Sequence, residues 1–123
     1  MNTRHVVVIR KDLNMTPGLM AAQVAHINDA WLRKLVSDGG EVSVEQSEWC
    51  DAPYLSVLSV DNGEELNIII TLAKAADLPV FVWHDLIPSK NLNRDMPDVL
   101  IGCSIGPADF DKIKAITGTL PLA

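Results

Sequence analysis

Residues 10–26 read RKDLNMTPGLMAAQVAH, and the way this stretch must fold decides the rest of the chain. It leaves an apolar run, HVVVIR at 5–10, crosses a short loop, and enters a helix at Thr16-Pro17. Thr16 suits the cap because its hydroxyl accepts a backbone N–H. Pro17 suits the first helical position because its missing donor is not needed there. Along the predicted helix, about 17–36, Met20, Val24, Ile27, Trp31 and Leu35 fall on one stripe, the face a core requires. Leu19, Gln23 and His26 form an adjoining line. A glutamine and a histidine beside a buried stripe, close to a strand-to-helix junction, are placed to point into a cleft at the edge of a sheet.

Ser37-Asp38-Gly39-Gly40 ends that helix. Residues 40–52 show no clean period; Trp49 and Cys50 tuck this connection against the core, and it carries no chemistry. YLSVLSV at 54–60 alternates as a strand. Asn62 with Glu65 forms a capping-box pattern that opens a second helix. This helix runs to about Ala76 and presents Leu66, Ile69, Ile70 and Ala73 to the sheet. PVFVWH at 79–84 is a third strand, and a 13-residue loop from Asp85 to Pro97 follows, long for a compact domain and so either functional or floppy. DVLIGCSI at 98–105 is the fourth strand; Gly106-Pro107 opens a last helix near Ala108–Ile116, closed by Gly118. Strands alternating with helices predict one three-layer α/β/α domain over 1–123 with a mostly parallel sheet.

The 123 residues suffice for one sizeable core, and 48% hydrophobic with 21% charged residues is a globular composition. No apolar run approaches the roughly 20 residues a membrane helix needs, and the start shows no secretory pattern. A cytoplasmic protein with Cys50 and Cys103 reduced is the expectation. A net charge of −6 excludes a generally nucleic-acid-coating surface, since phosphate binding needs local cations. Arg10 and Lys11 at the first loop, with Lys90 and Arg94 in the second, are either a local basic rim or four solvated charges.

Both loops lie at the carboxyl ends of their strands, where ligands of open α/β sheets gather. Asp85 follows its strand directly and Ser89 comes four residues later. With Gln23 and His26 in the same cleft, a carboxylate, a hydroxyl, an amide and an imidazole converge, enough to activate water and hold an oxyanion. Taken singly, a histidine in this position is more often a boundary residue satisfied by a neighbour, and Asp85 fits a simple turn. Ser89 lacks the G-x-S-x-G elbow of a covalent nucleophile. The glycines form neither a P-loop nor a dinucleotide fingerprint, and His5, His26 and His84 have no metal-ligand spacing.

KDLNMTPGLMAAQVAH, then PVFVWHD, then SIGPADFDKIKAITGTLPL resemble, in that order, the archaeal and eukaryotic-type peptidyl-tRNA hydrolases of the second structural class. The most specific parts are M-x-x-G-x-x-A-A-Q-x-A-H at Met15–His26 and the I-G-P…TG-x-L ending at Ile105–Leu120. The resemblance implies a mixed four-stranded sheet with helices on both faces, often a homodimer. It also implies metal-independent hydrolysis of the ester joining a peptide to the 3′ ribose of tRNA, with no cofactor. The family's motifs fall on Gln23, His26 and Asp85, with Ser89 replacing a threonine. Three positions depart from the family pattern. GKGK reads TPGL, so the lysine proposed for catalysis is Leu19; Asp-Ala-Gly reads Asp85-Leu86-Ile87; and the glutamine after the threonine is Lys90. A divergent hydrolase would use Asp85 for water, Ser89 and Gln23 for the ester, and Lys90 or Lys11 for the missing charge. The alternative is a non-catalytic binding protein on the same scaffold; a third option is hydrolysis of a smaller ester or amide.

Overall fold

The computed structural model describes residues 2–89 and 94–123, with the backbone alone for 86–89 and 94–97. Strand β1 (Thr3–Arg10) passes through one 3-10 turn (Lys11–Leu13) into helix α1 (Pro17–Asp38). Then come α2 (Val44–Asp51), β2 (Leu55–Val60), α3 (Gly63–Ala75), β3 (Val80–Ser89), β4 (Arg94–Asp109) and α4 (Phe110–Thr117). The caps follow the sequence chemistry. Thr16 Oγ1 accepts from Leu19 N at 3.3 Å, and Asn62 Oδ1 accepts from Glu65 N at 2.9 Å. Gly39 closes α1 at φ 67°, a left-handed conformation that a glycine adopts without a Cβ clash.

The sheet order is β2-β1-β4-β3. The layers and the four-stranded mixed sheet are as expected, but parallel pairing is confined to β1 with β2. β4 runs antiparallel to both β1 and β3. The reason lies in residues 85–89 and 94–97, which continue β3 and β4 as a ribbon, pairing Ile87 with Met96 and Ser89 with Arg94, where the sequence predicts a loop. Only four residues separate Ser89 from Arg94, too few for the crossover that a parallel partner requires. Pro88 sits on an edge strand, and the register shifts between Asp85 and Ile87, positions where strands tolerate proline. β1, β2 and β3 therefore still point the same way and share one carboxyl-end edge.

Alternation along β1 separates two cores. Val6 and Val8 pack with Leu66, Ile69, Ile70 and Ala73 of α3 and with Ile113 of α4. Val7 and Ile9 pack with Ile27 of α1 and Ile101 of β4. The α1 seat is tight: a Cβ on Gly102 would lie 2.4 Å from the Val8 carbonyl oxygen and 3.1 Å from Ile27 Cδ1. The buried stripe of α1 is Gln23, Ile27 and Trp31, with Val24 partly buried, so the glutamine itself is part of the seat.

Two boundaries differ from the sequence reading. Residues 44–51 form α2, closed by a Ser43–Gln46 capping box. There Trp49 donates to the Tyr54 carbonyl at 2.8 Å and meets His5 and Trp31 edge-on, while Cys50 is exposed. β4 runs through Gly106-Pro107, a cis peptide, to Asp109, so α4 starts at Phe110. Gly106 (φ 110°) lies where a Cβ would stand 2.7 Å from the Arg4 carbonyl oxygen. Among the described residues no helix is long and apolar enough to cross a membrane.

Candidate active site

Trp83 and Asp85 lie two residues apart in the middle of β3, level with the carboxyl end of β1, since Trp83 and Ile9 both pair with Gly102. The strand period turns both side chains to the face that α1 covers. Gln23, one and a half turns into α1, lies between them at 3% exposure. The Trp83 indole N–H donates to Gln23 Oε1 at 2.7 Å, and Gln23 Nε2 donates to Asp85 Oδ2 at 3.0 Å. An indole N–H can only donate, so the amide oxygen must face it and the NH2 must face the carboxylate. A tryptophan thus fixes the orientation of a glutamine, which fixes one oxygen of a half-exposed carboxylate. Two segments more than sixty residues apart meet at one edge of the sheet.

His26 belongs to the same edge but in another manner. Its exposed ring stacks on Trp83 with centroids 5.3 Å apart and planes 24° apart. Arg33, two turns further along α1, places its guanidinium 5.7 Å from the Trp83 ring centroid and donates from Nη2 to the His26 carbonyl at 2.6 Å. Trp83 and Arg33 were missed in the sequence reading, although both left a signal. Trp83 is two before Asp85 on a strand, and Arg33 is seven after His26 on a helix, so each shares a face with a residue already singled out.

The expected cations divide into two groups. Arg10 gives Nε and Nη2 to the Asp12 carboxylate at 3.0 and 2.8 Å, and Nη1 to the Leu100 carbonyl at 3.1 Å. Its pKa is raised, chiefly by the hydrogen bond to Asp12, whose own carboxyl is held below the usual range by the same contact. Lys11 pairs with Asp61 at 2.9 Å, both side chains well exposed. An exposed pair of this kind is screened by solvent and contributes little, so Lys11 can exchange its partner for a phosphate. Lys90 lies outside the described residues, as do the side chains of Ser89 and Arg94. Leu19, in the first turn of α1, is half-buried. Among the described residues no three His, Cys, Asp or Glu side chains come together as a metal site.

The fold is an open α/β sheet with helices on both faces, a class whose ligands gather beyond the carboxyl ends of the strands, the side on which Gln23 and Asp85 meet. Comparison with known proteins narrows the class. The family model for peptidyl-tRNA hydrolase PTH2 matches residues 3–123. A peptidyl-tRNA hydrolase of Methanopyrus kandleri is 32% identical over 120 residues, covering 97% of this chain and 97% of that protein. One from Methanocaldococcus jannaschii is 34% identical over 119 residues, covering 95% and 96%. The mitochondrial peptidyl-tRNA hydrolase 2 of Homo sapiens is 31% identical over 117 residues, covering 95% of this chain and 62% of that protein. The chain belongs to the PTH2 family of peptidyl-tRNA hydrolases.

Proposed function

We propose that the protein hydrolyses the ester between a peptide and the 3′ ribose of tRNA, with Asp85 as the general base. Asp85 takes a proton from water as the water oxygen bonds to the ester carbonyl carbon. The tetrahedral intermediate then expels the ribose 3′ oxygen, which takes the proton back from Asp85, leaving a peptide acid, a free tRNA hydroxyl and the carboxylate restored. Gln23 is a positioning residue: it holds one carboxylate oxygen so that the base enters the reaction already oriented. In this reading Ser89 positions the ester. Lys90, Lys11, Arg10 and Arg94 supply positive charge toward the phosphates and the developing oxyanion, a part that Leu19 cannot play.

The single observation that carries the reading is the Trp83–Gln23–Asp85 chain in a member of this family. Purified protein is assayed on peptidyl-tRNA beside Asp85→Ala. Removal of a general base lowers kcat by about 10²–10⁴-fold; wild-type turnover no faster than the alanine variant rejects the reading. A cytoplasmic location, where most peptidyl-tRNA is made, is part of this reading. A homodimer belongs to the same reading. α3 leaves Ile68 and Leu72 about half exposed on its outer face, an apolar strip suited to a second copy, and sedimentation equilibrium tests it.

A further inference from the structure

The ester-cleaving machinery leaves His26 and Arg33 without a part. Trp83 does two things at once: its N–H edge holds Gln23, and its face carries the His26 imidazole. That imidazole is exposed and lies nearly parallel to the indole, and the Arg33 guanidinium, which donates to the His26 backbone carbonyl, lies 5.7 Å from the same indole. An aromatic ring backed by a larger one and flanked by a guanidinium is the surface on which unpaired bases stack. The charge balance points the same way. The chain carries −6, so overall attraction to a polyanion is weak and a stacking contact, which does not depend on net charge, gains in relative importance.

The geometry points to a nucleobase-stacking site on His26, backed by Trp83 and bordered by Arg33, which takes the base of the 3′-terminal nucleoside and so delivers its ribose ester to Asp85. Its identity rests on the hydrolase reading, since only an acylated 3′ end places that base beside the carboxylate. The site adds a substrate-holding function that the water-activating group does not provide. His26 acts here through its ring face and not through its proton.

The test uses the intact protein with His26→Ala, His26→Phe and Arg33→Ala, and deacylated tRNA with either an intact or an abasic 3′-terminal nucleotide. One stacked base contributes on the order of tenfold in affinity. Wild type is expected to bind the intact tRNA about tenfold better than the abasic one, and His26→Ala to lose that difference. His26→Phe, which keeps a ring but no titrating nitrogen, is expected to retain it. On peptidyl-tRNA, His26→Ala is expected to raise KM by a similar factor with kcat changed much less, and Arg33→Ala to raise KM by a smaller one. Equal binding of the two tRNAs by wild type overturns the site. So does a fall in kcat in His26→Phe, which would make the imidazole an acid or base. A KM that follows the peptide's last side chain instead of the terminal base also overturns it. Base-dependent binding without turnover would reject the hydrolase reading and leave the stacking site standing.

Discussion

His5 sits on β1 under α1 and α2, fully buried, with Nδ1 2.9 Å from Asn28 Oδ1 and its ring edge-on to Trp49. An amide oxygen accepts only, so Nδ1 carries the proton; Nε2 is then the bare nitrogen, buried without a hydrogen-bond partner among the described residues. Burial lowers the His5 pKa from 6.5 to about 4, against a smaller opposing effect of the Asn28 hydrogen bond. The nearby carboxylate on α2, Glu48, already accepts from Thr3 Oγ1 at 2.7 Å. The fold therefore disfavours the imidazolium, whereas the unfolded chain protonates this residue freely. Between pH 6.5 and 4 the unfolded state binds more protons, so stability falls as the pH falls. At 1.36 kcal/mol per pH unit the full window amounts to about 3 kcal/mol, of which about 2 kcal/mol is gone by pH 5. For a chain of this length that lowers Tm by roughly 6–10 °C. Thermal unfolding of wild type and His5→Leu is compared from pH 7.5 to 5. The variant keeps every carboxylate but lacks this imidazole, so its Tm should decline much less. Parallel declines of the two proteins would show that His5 protonates inside the fold without penalty, and would refute the reasoning.

Gln23→Leu removes both partners from one amide, leaving the Trp83 N–H and Asp85 Oδ2 without it; kcat should fall at least about tenfold with KM changed less. Gly102→Ala, whose Cβ would stand 2.4 Å from the Val8 carbonyl oxygen, should destabilise by at least about 3 kcal/mol in urea unfolding, or prevent folding. Exposed Cys50 should react with a thiol reagent at pH 8 within minutes. Cys103, buried and pushed up to about 12, should react only at the rate of unfolding, so a single fast thiol is the count expected of the native protein.

The elements legible in the sequence were those in which one local signal sufficed. Thr16-Pro17 and Gly39 bound α1, and the buried residues of α3 are the four its period selects. Helix α2 was not legible by period, because eight residues with no buried position give none; the Ser43–Gln46 pair was its only mark. The 85–97 stretch was read as a loop because its prolines and charges are loop composition. Pairing across the ribbon is a long-range property that composition does not encode. The insertion of β4 between β1 and β3, which leaves one parallel pair, follows from that same hairpin.

The site was legible to the same degree. Helical spacing placed Gln23 near the cleft and strand order placed Asp85 there; that the two bond directly required the seat of α1 to be known. That seat has two polar fastenings, Gln23 to Trp83 and Asn28 to His5, on either side of the apolar contact at Ile27. An apolar stripe by itself would tolerate small slides and rotations of the helix across the sheet. Two directional bonds, one to β3 and one to β1, fix its rotation and its height together. The orientation of Asp85 is thus set in part from the far end of the helix seat. An acidic, sparsely cationic protein can act on a polyanionic substrate if it holds one base and one ester in register instead of attracting the whole backbone. On the proposed reading the fastened helix would supply that register, because Gln23 and His26 are one turn apart on it and meet the edge and the face of the same indole.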